Sequence, residues 1–255
     1  MKTIAVMPVL GRHPLLKHTI SRLLNKNGCD IVICAGNKED RQVCEKAGAI
    51  FTQQNNDYLG RKWNALFAMA KPHNPDAVLF VGSSDWLSDN WIPVMSKHLS
   101  EKNQMVGKAG CYMLDIKTQG NASYTTYRKP YAQPEYRLIY WPGYKWGSPK
   151  NNKHNRDKES IGIGRLISRE GLDSIRWRPF ENSLNFSLDY SMYKRFLKKN
   201  KIVYDNSIHS MGISTDRWKN KHTFEAHWNN TNPSKRIIDP HKFCKQYFDE
   251  YSQIF

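Results

Sequence analysis

The chain lacks the features that mark several common protein classes. No run approaches the ~18 apolar residues that a membrane-spanning helix requires, and the apolar start of MKTIAVMPVLGRHP is too short for a signal-peptide core and is broken by Pro8, Gly11 and Arg12. A soluble, intracellular protein of the cytoplasm with no membrane contact is expected. Cysteines are few and odd in number, at positions 29, 34, 44, 111 and 244, with no C-x-x-C pair. That pattern indicates neither a disulfide framework nor a zinc knuckle, and the thiols are expected to be small core residues. Repeats and low-complexity tracts are absent. Acidic residues are scarce, with 23 Asp and Glu against 39 Lys and Arg.

What is present suffices for a folded core. At 255 residues, 39% hydrophobic and 12% aromatic, the chain can bury one sizeable interior. The net charge of +16 is unevenly shared: residues 121–255 hold 24 of the basic and 13 of the acidic residues, which leaves +11 in that half. Such an excess suits a polyanionic partner, because Lys and Arg that neutralise phosphates release counterions. A generally basic protein with scattered, solvated lysines has the same composition.

Hydrophobic periodicity divides the chain near residue 100. Before it, apolar strands alternate with amphipathic helices: strands at Ile4–Val9, Ile31–Cys34, Ala49–Thr52 and Ala77–Val81, and helices at Pro14–Asn25, Glu39–Ala47 and Arg61–Ala70. This alternation predicts an α/β fold built on a parallel sheet, whose ligands bind beyond the carboxyl ends of the strands. The places to look are Pro8–His13, Ala35–Lys38, Asp57–Asn64 and Gly82–Asp85. Later elements are less regular: strands around Val106–Asp115, Tyr124–Tyr140 and Ile163–Ser168, a helix over Ser187–Lys199, and a strand at Ile202–Tyr204. The polar stretch Gly143–Ser160 reads as a lid or a disordered insertion.

The sharpest local signal is Val78-Leu79-Phe80-Val81-Gly82-Ser83-Ser84-Asp85-Trp86, which sets Asp85 at the open end of a buried strand. A carboxylate there supplies a hard oxygen ligand for a divalent cation bridging a diphosphate. Capping of a following element is the plainer role for such an Asp. Gly60-Arg61-Lys62-Trp63-Asn64 opens a helix with two cations and an amide, where Arg61, Lys62 and Asn64 suit a phosphate.

Together, MPVLGRHPLLKHTI, GRKWNALFAMA and DAVLFVGSSDWLSDNW resemble the nucleotide-sugar-binding half of GT-A glycosyltransferases, especially the large inverting family 2. The resemblance covers roughly residues 1–100 and is loose beyond. It implies a GT-A fold with a mixed central sheet, in which residues 1–120 form the nucleotide-sugar half and residues 121–255 the acceptor and catalytic half. It also implies a nucleotide-sugar donor such as a UDP-sugar and a Mn²⁺ or Mg²⁺ cofactor. By that resemblance Pro8, Val9, Gly11 and Arg12 line the base and ribose pocket, Ala35–Asn37 form its second wall, and Ser83, Ser84 and Asp85 stand at the D-x-D. Ser83 replaces the first acidic residue of that motif, which weakens the ribose contact and keeps the metal carboxylate.

Inverting transfer needs a base beside the acceptor hydroxyl. Asp189 sits where family 2 members place the aspartate of their E-D motif, with Leu188 in place of the glutamate; a helix-start Asp serving the dipole is the plainer role. His209 matches the late histidine that many GT-A enzymes use as a further metal ligand, with His222 and His227 as weaker candidates. Aromatic and basic residues interleave through Tyr124–Trp146, including Arg128, Lys129, Tyr140, Trp141, Lys145 and Trp146, and again at Arg176 and Trp177. In size, charge and solubility the chain is similar to bacteriophage enzymes that glycosylate hydroxymethylated pyrimidines in DNA. That similarity implies a DNA acceptor with a flipped base. An envelope glycan as acceptor, a nucleotidyltransferase and a non-catalytic nucleic-acid-binding protein are the alternatives. The nucleotidyltransferase is disfavoured because Pro8–Pro14 has a single glycine.

Overall fold

The computed structural model describes residues 1–11, 13–119, 130–143, 158–215, 224, 236–237 and 239–248. In chain order the elements are β1 (Thr3–Pro8), α1 (His13–Asn25), β2 (Ile31–Gly36), α2 (Arg41–Lys46), β3 (Ile50–Gln53), α3 (Leu59–Ala70) and β4 (Ala77–Phe80). There follow β5 (Asp85–Leu87), α4 (Trp91–Ser96), β6 (Met105–Lys108), β7 (Cys111–Gln119) and β8 (Pro130–Trp141). The chain continues with β9 (Arg165–Ser168), α5 (Arg169–Ser174), α6 (Leu188–Arg195), β10 (Asn200–Val203), β11 (Ser210–Thr215), β12 (Arg236–Ile237) and α7 (Pro240–Tyr247).

A seven-stranded sheet in the order β10-β6-β9-β4-β1-β2-β3 forms the centre. Strands β1 to β4 pair in parallel, as right-handed strand–helix crossovers require. The expected parallel sheet is mixed in the second half, because β9 runs antiparallel between β4 and β6. Strand β10 then pairs in parallel with β6. Residues from both halves of the chain thus share one sheet.

Central strands covered on both faces read as unbroken apolar runs, and Ala77–Phe80 is buried at every position. Leu16, Ile20 and Leu23 of α1, at helical spacing, pack with Met7, Val32 and Leu79 on one face. On the other face Trp63, Leu66 and Phe67 of α3 meet Ile4, Val6 and Val78. Trp63 stacks on Phe80 with ring centroids 3.8 Å apart. Each fully buried side chain of this size contributes on the order of 2 kcal/mol. All five cysteines are buried and free, consistent with a packing role.

A second sheet, ordered β12-β8-β7-β11-β5, joins β7 and β8, which overlap strands expected from the sequence, to β5, β11 and β12, which were not expected. One face of it packs Trp86, Leu114, Ile116 and Met211 against Cys244 and Phe248 at α7. The expected helix Ser187–Lys199 is shorter, since α6 ends at Arg195. Residues 144–157 of the expected lid lie outside the described residues. No described helix is long and apolar enough to cross a membrane.

Candidate active site

The carboxyl ends of β1 and β2 are joined by a network of buried polar groups. Val9 N donates to Ala35 O at 2.7 Å, which closes the β1–β2 crevice. The Asp40 carboxylate, 2% exposed, accepts from Gly11 N and from Asn37 N, each at 3.0 Å. Lys62, in the first turn of α3, donates its Nζ to Val9 O and to Asn56 Oδ1, both at 2.5 Å. Asn56 Nδ2 in turn donates to Asn37 Oδ1 at 2.8 Å. Burial pushes the Lys62 ammonium down to about 8, with Asp40 and Cys44 opposing the shift. A buried ammonium held between a carbonyl and an amide, near a carboxylate, costs less than an isolated one and fixes the loops around it.

Val9, Gly11, Asn37 and Lys62 meet in this crevice, and Pro8 stands at the end of β1 opposite Ala35. Asp40 and Asn56 were missed. The signal for Asp40 was the spacing Asn37-x-x-Asp40, which here forms a capping box.

The second part of the site stands at the carboxyl end of β4. Gly82 to Asp85 form a tight turn, in which Asp85 N donates to Gly82 O at 3.1 Å and Asp85 Oδ2 accepts from Gly82 N at 2.7 Å. Ser83 is buried and Ser84 O accepts from Ile213 N at 2.9 Å, so the S-S-D segment is pinned to β11. Asp85 itself is half-buried.

The third part is Asp189, which opens α6 and is 20% exposed. Its Oδ1 lies 3.0 Å from Nη2 of Arg165, a guanidinium that is 1% exposed. Arg165 also donates Nε to Ser160 Oγ at 2.9 Å and Nη2 to Ser160 O. A Cβ on Gly162 would sit 3.1 Å from Asp189 Oδ1 and 3.6 Å from Phe80, so the bare backbone of this loop gives the carboxylate its room. Because Gly164 N donates to Phe80 O at 3.0 Å, the loop carrying Gly162 is fastened to the end of β4. Asp85 and Asp189 are therefore both tied to the carboxyl end of one central strand.

Other expected residues are placed elsewhere. The helix start at Leu59–Gly60 is covered: Leu59 N donates to Asn185 Oδ1 and Gly60 N to Leu184 O. Those donors are occupied and present nothing to a phosphate. Asn64 spends its amide on Phe180 O, Asn182 Oδ1 and Phe180 N, and Arg61 pairs with Asp57 at 2.7 Å.

Strand register separates His209 from Asp85. Gly212 is opposite Asp85, and His209 precedes it by three residues, which reverses the face of the sheet. The imidazole packs edge-on against Tyr247 at 4.2 Å and Tyr112 at 5.4 Å. Burial, then Lys108, lowers its pKa to about 4, with Asp205 opposing. The structure does not bring His209 to Asp85.

Trp177 is 3% exposed, packs with Phe180 in the core and donates Nε1 to Asp173 at 2.7 Å, so it offers no face to an acceptor. Arg176 is exposed beside it. Tyr140 and Trp141 end β8, with Tyr140 5.2 Å from Tyr112. Arg12, Arg128, Lys129, Lys145, Trp146, His222 and His227 lie outside the described residues.

Among the described residues no three His, Cys, Asp or Glu side chains cluster as a metal-binding group. Of the two carboxylates at the end of β4, Asp85 is a hard oxygen donor of the kind that a Mg²⁺ or Mn²⁺ ion would take beside diphosphate oxygens and water.

The chain matches no protein-family model and no curated protein. Solved structures do resemble it. A mannosyltransferase from Pyrobaculum calidifontis, solved with GDP-Man and Mn²⁺, superimposes with a TM-score of 0.52 at 10% identity, covering 89% of this chain and 59% of its own. The chain therefore spans about three-fifths of that enzyme's length. Glucosyl-3-phosphoglycerate synthase from Mycobacterium tuberculosis, solved with phosphoglyceric acid, gives 0.50 at 13% identity, covering 89% and 74%. The chain has the GT-A fold. In this GT-A sheet the crevice at β1 and β2 and the two carboxylates at β4 occupy the end of the strands where open α/β sheets bind ligands.

Proposed function

We propose that the chain is a divalent-cation-dependent glycosyltransferase that moves a sugar from a nucleotide-sugar, such as a UDP-sugar, to a hydroxyl group. The observation that carries this reading is the placement of Asp85 and Asp189 at the end of β4, beside the Asp40–Lys62 crevice. The crevice takes the nucleoside at Asn37 and the loop at Gly11, which the buried Lys62 holds in place through Val9 and Asn56. A Mg²⁺ or Mn²⁺ held by Asp85 would neutralise the diphosphate as it leaves. Asp189, fixed by Arg165, receives the proton of the acceptor hydroxyl while its oxygen forms the bond to the anomeric carbon and the nucleoside diphosphate departs. The reaction so written inverts the anomeric centre.

The acceptor is proposed to be a 5-hydroxymethylpyrimidine in DNA. The excess of +11 on residues 121–255 supports a polyanion at this step. The test is release of nucleoside diphosphate from UDP-, GDP- and dTDP-sugars with and without Mn²⁺, alongside mass spectrometry of nucleosides from hydroxymethylated duplex. Metal-dependent release that disappears in Asp85→Asn, with a sugar-shifted nucleoside, is the expected result. Release unaffected by that substitution would remove Asp85 from the chemistry, and an unmodified nucleoside pool would remove DNA as acceptor.

A further inference from the structure

Residues 194–201 read Lys-Arg-Phe-Leu-Lys-Lys-Asn-Lys, five cations in eight positions with no acidic residue from Tyr190 to Tyr204. They span the carboxyl end of α6 and the start of β10, the outermost strand of the large sheet. Lys194, Arg195, Lys198, Lys199 and Lys201 are all exposed. None of them belongs to an ion pair among the described residues. Lys194 lies 5.0 Å over the Tyr190 ring and, with Arg195, stands in the last turn of α6, where the helix dipole favours a cation. Lys198, Lys199 and Lys201 have no such partner among the described residues and repel one another, so their arrangement suits an external polyanion.

The same edge carries a cavity of about 310 Å³, lined by Lys158, Tyr193, Leu197, Asn200, Lys201, Ile202 and Tyr204. Asn200 Nδ2 donates to Lys158 O at 3.0 Å, which holds the Lys158 segment beside Lys201. Tyr204, 62% exposed, stands at the carboxyl end of β10. Because β10 runs parallel to β6, and β6 and β4 both run antiparallel to β9, that end faces the same way as the catalytic end of β4. Helix α6 begins with Asp189 in its first turn and is eight residues long. Lys194 follows the proposed base by five residues, about 7.5 Å along the axis at 1.5 Å per residue, and Lys198, Lys199 and Lys201 continue the row past the end of the helix to the amino end of β10.

We propose that the α6–β10 edge is a polynucleotide-binding track, with the lysines following the phosphates and Tyr204 stacking on a base. The inference rests on the proposed DNA acceptor and names the surface that holds it. A membrane surface fits less well. Surface helices that bind lipid expose a broad apolar face, whereas here Phe196 and Val203 are buried and Leu197 is the exposed aliphatic residue of the segment. Cations combined with an exposed aromatic beside a groove match single-strand and backbone recognition.

The test is fluorescence anisotropy of a labelled 20-nucleotide DNA, single-stranded and duplex, against the full chain. Wild type is compared with Lys198→Gln/Lys199→Gln/Lys201→Gln, with the corresponding triple Glu variant, and with Tyr204→Ala. Affinity is expected to fall at least tenfold in both triple variants. In the Gln variant the dependence of log K on log salt becomes shallower by up to about 2.7, at roughly 0.9 per lost phosphate contact. Tyr204→Ala weakens single-strand binding with an unchanged salt slope.

Salt-independent binding by wild type, or wild-type affinity in either triple variant, overturns the proposal. So does wild-type binding to phosphatidylglycerol vesicles with no binding to either DNA. Donor hydrolysis in the same preparations reads the transferase activity separately. Its persistence in a variant that has lost DNA shows that the fold and donor site are intact, and its absence from wild type counts against the transferase and leaves the DNA measurements to decide this surface.

Discussion

Arg165, almost wholly enclosed, reaches 3.0 Å to the carboxylate of Asp189 and ties the segment at Ser160 to the first turn of α6. The pair orients the proposed base and also joins two elements that are far apart in sequence. Arg165→Met leaves Asp189 without its buried partner and is expected to cost about 3 kcal/mol of stability in urea denaturation. Asp189→Asn keeps an oxygen acceptor for the guanidinium and leaves Ser160 in place, so the fold should persist. Turnover should fall on the order of 10²- to 10⁴-fold, measured as nucleoside diphosphate release. Turnover near wild type in that variant would assign the base elsewhere.

The buried Lys62 has a consequence at alkaline pH. Its folded pKa of about 8 lies below the ordinary 10.5, so between these values the unfolded chain binds more protons than the native one. Stability therefore rises with pH across that window, through this group. Lys62→Met should remove this contribution, which appears as the difference between the two stability–pH curves and not in either curve alone. The same variant should bind nucleotide-sugar more weakly in a thermal-shift assay.

His209 acts at the acid end. Its folded pKa of about 4 lies below the ordinary 6.5, so the unfolded chain gains the proton first as pH falls. Stability is lost from about 6.5 down to 4. His209→Phe fits among Tyr112, Phe243 and Tyr247, and should flatten that limb of the curve. The proposed Mn²⁺ dependence of donor cleavage should survive the substitution, since β5–β11 pairing sets the imidazole on the other face of the sheet from Asp85. A lost metal response would place the ring in the metal's coordination shell.

Gly60 tests how firmly the 181–185 segment covers α3. A Cβ there would sit 2.1 Å from Glu181 O, a backbone atom that cannot swing aside. Gly60→Ala should destabilise by about 2 kcal/mol through overpacking. It should also raise amide exchange at Leu59 and Gly60, whose protons are held by Asn185 and Leu184.

Much of the first half was legible because its signals are local. The apolar run of β4 and the spacing of Leu15, Leu16, Ile20 and Leu23 in α1 follow from burial on two faces or one, and both elements form where the pattern predicts. Elements with weak local patterns were missed. β5 has three residues, β11 carries Ser and Gly, and Pro93 interrupts the pattern of α4. Each is held by long-range contacts: Asn27 and Arg22 donate to the backbone of Leu87, and Trp91 Nε1 donates to Gly164 O.

Within the site, the sequence alone determined that a carboxylate closes β4 and that a cation lies in the first turn of α3, since both depend on neighbours a few residues away. Only the tertiary structure decided which groups are free to act. Asn64 and the start of α3 looked open until residues 180–185 folded over them, and Asp40 was missed until the fold brought Gly11 N onto its carboxylate. Likewise the face on which His209 lies is fixed by β5–β11 pairing across more than 120 residues, which no local pattern encodes.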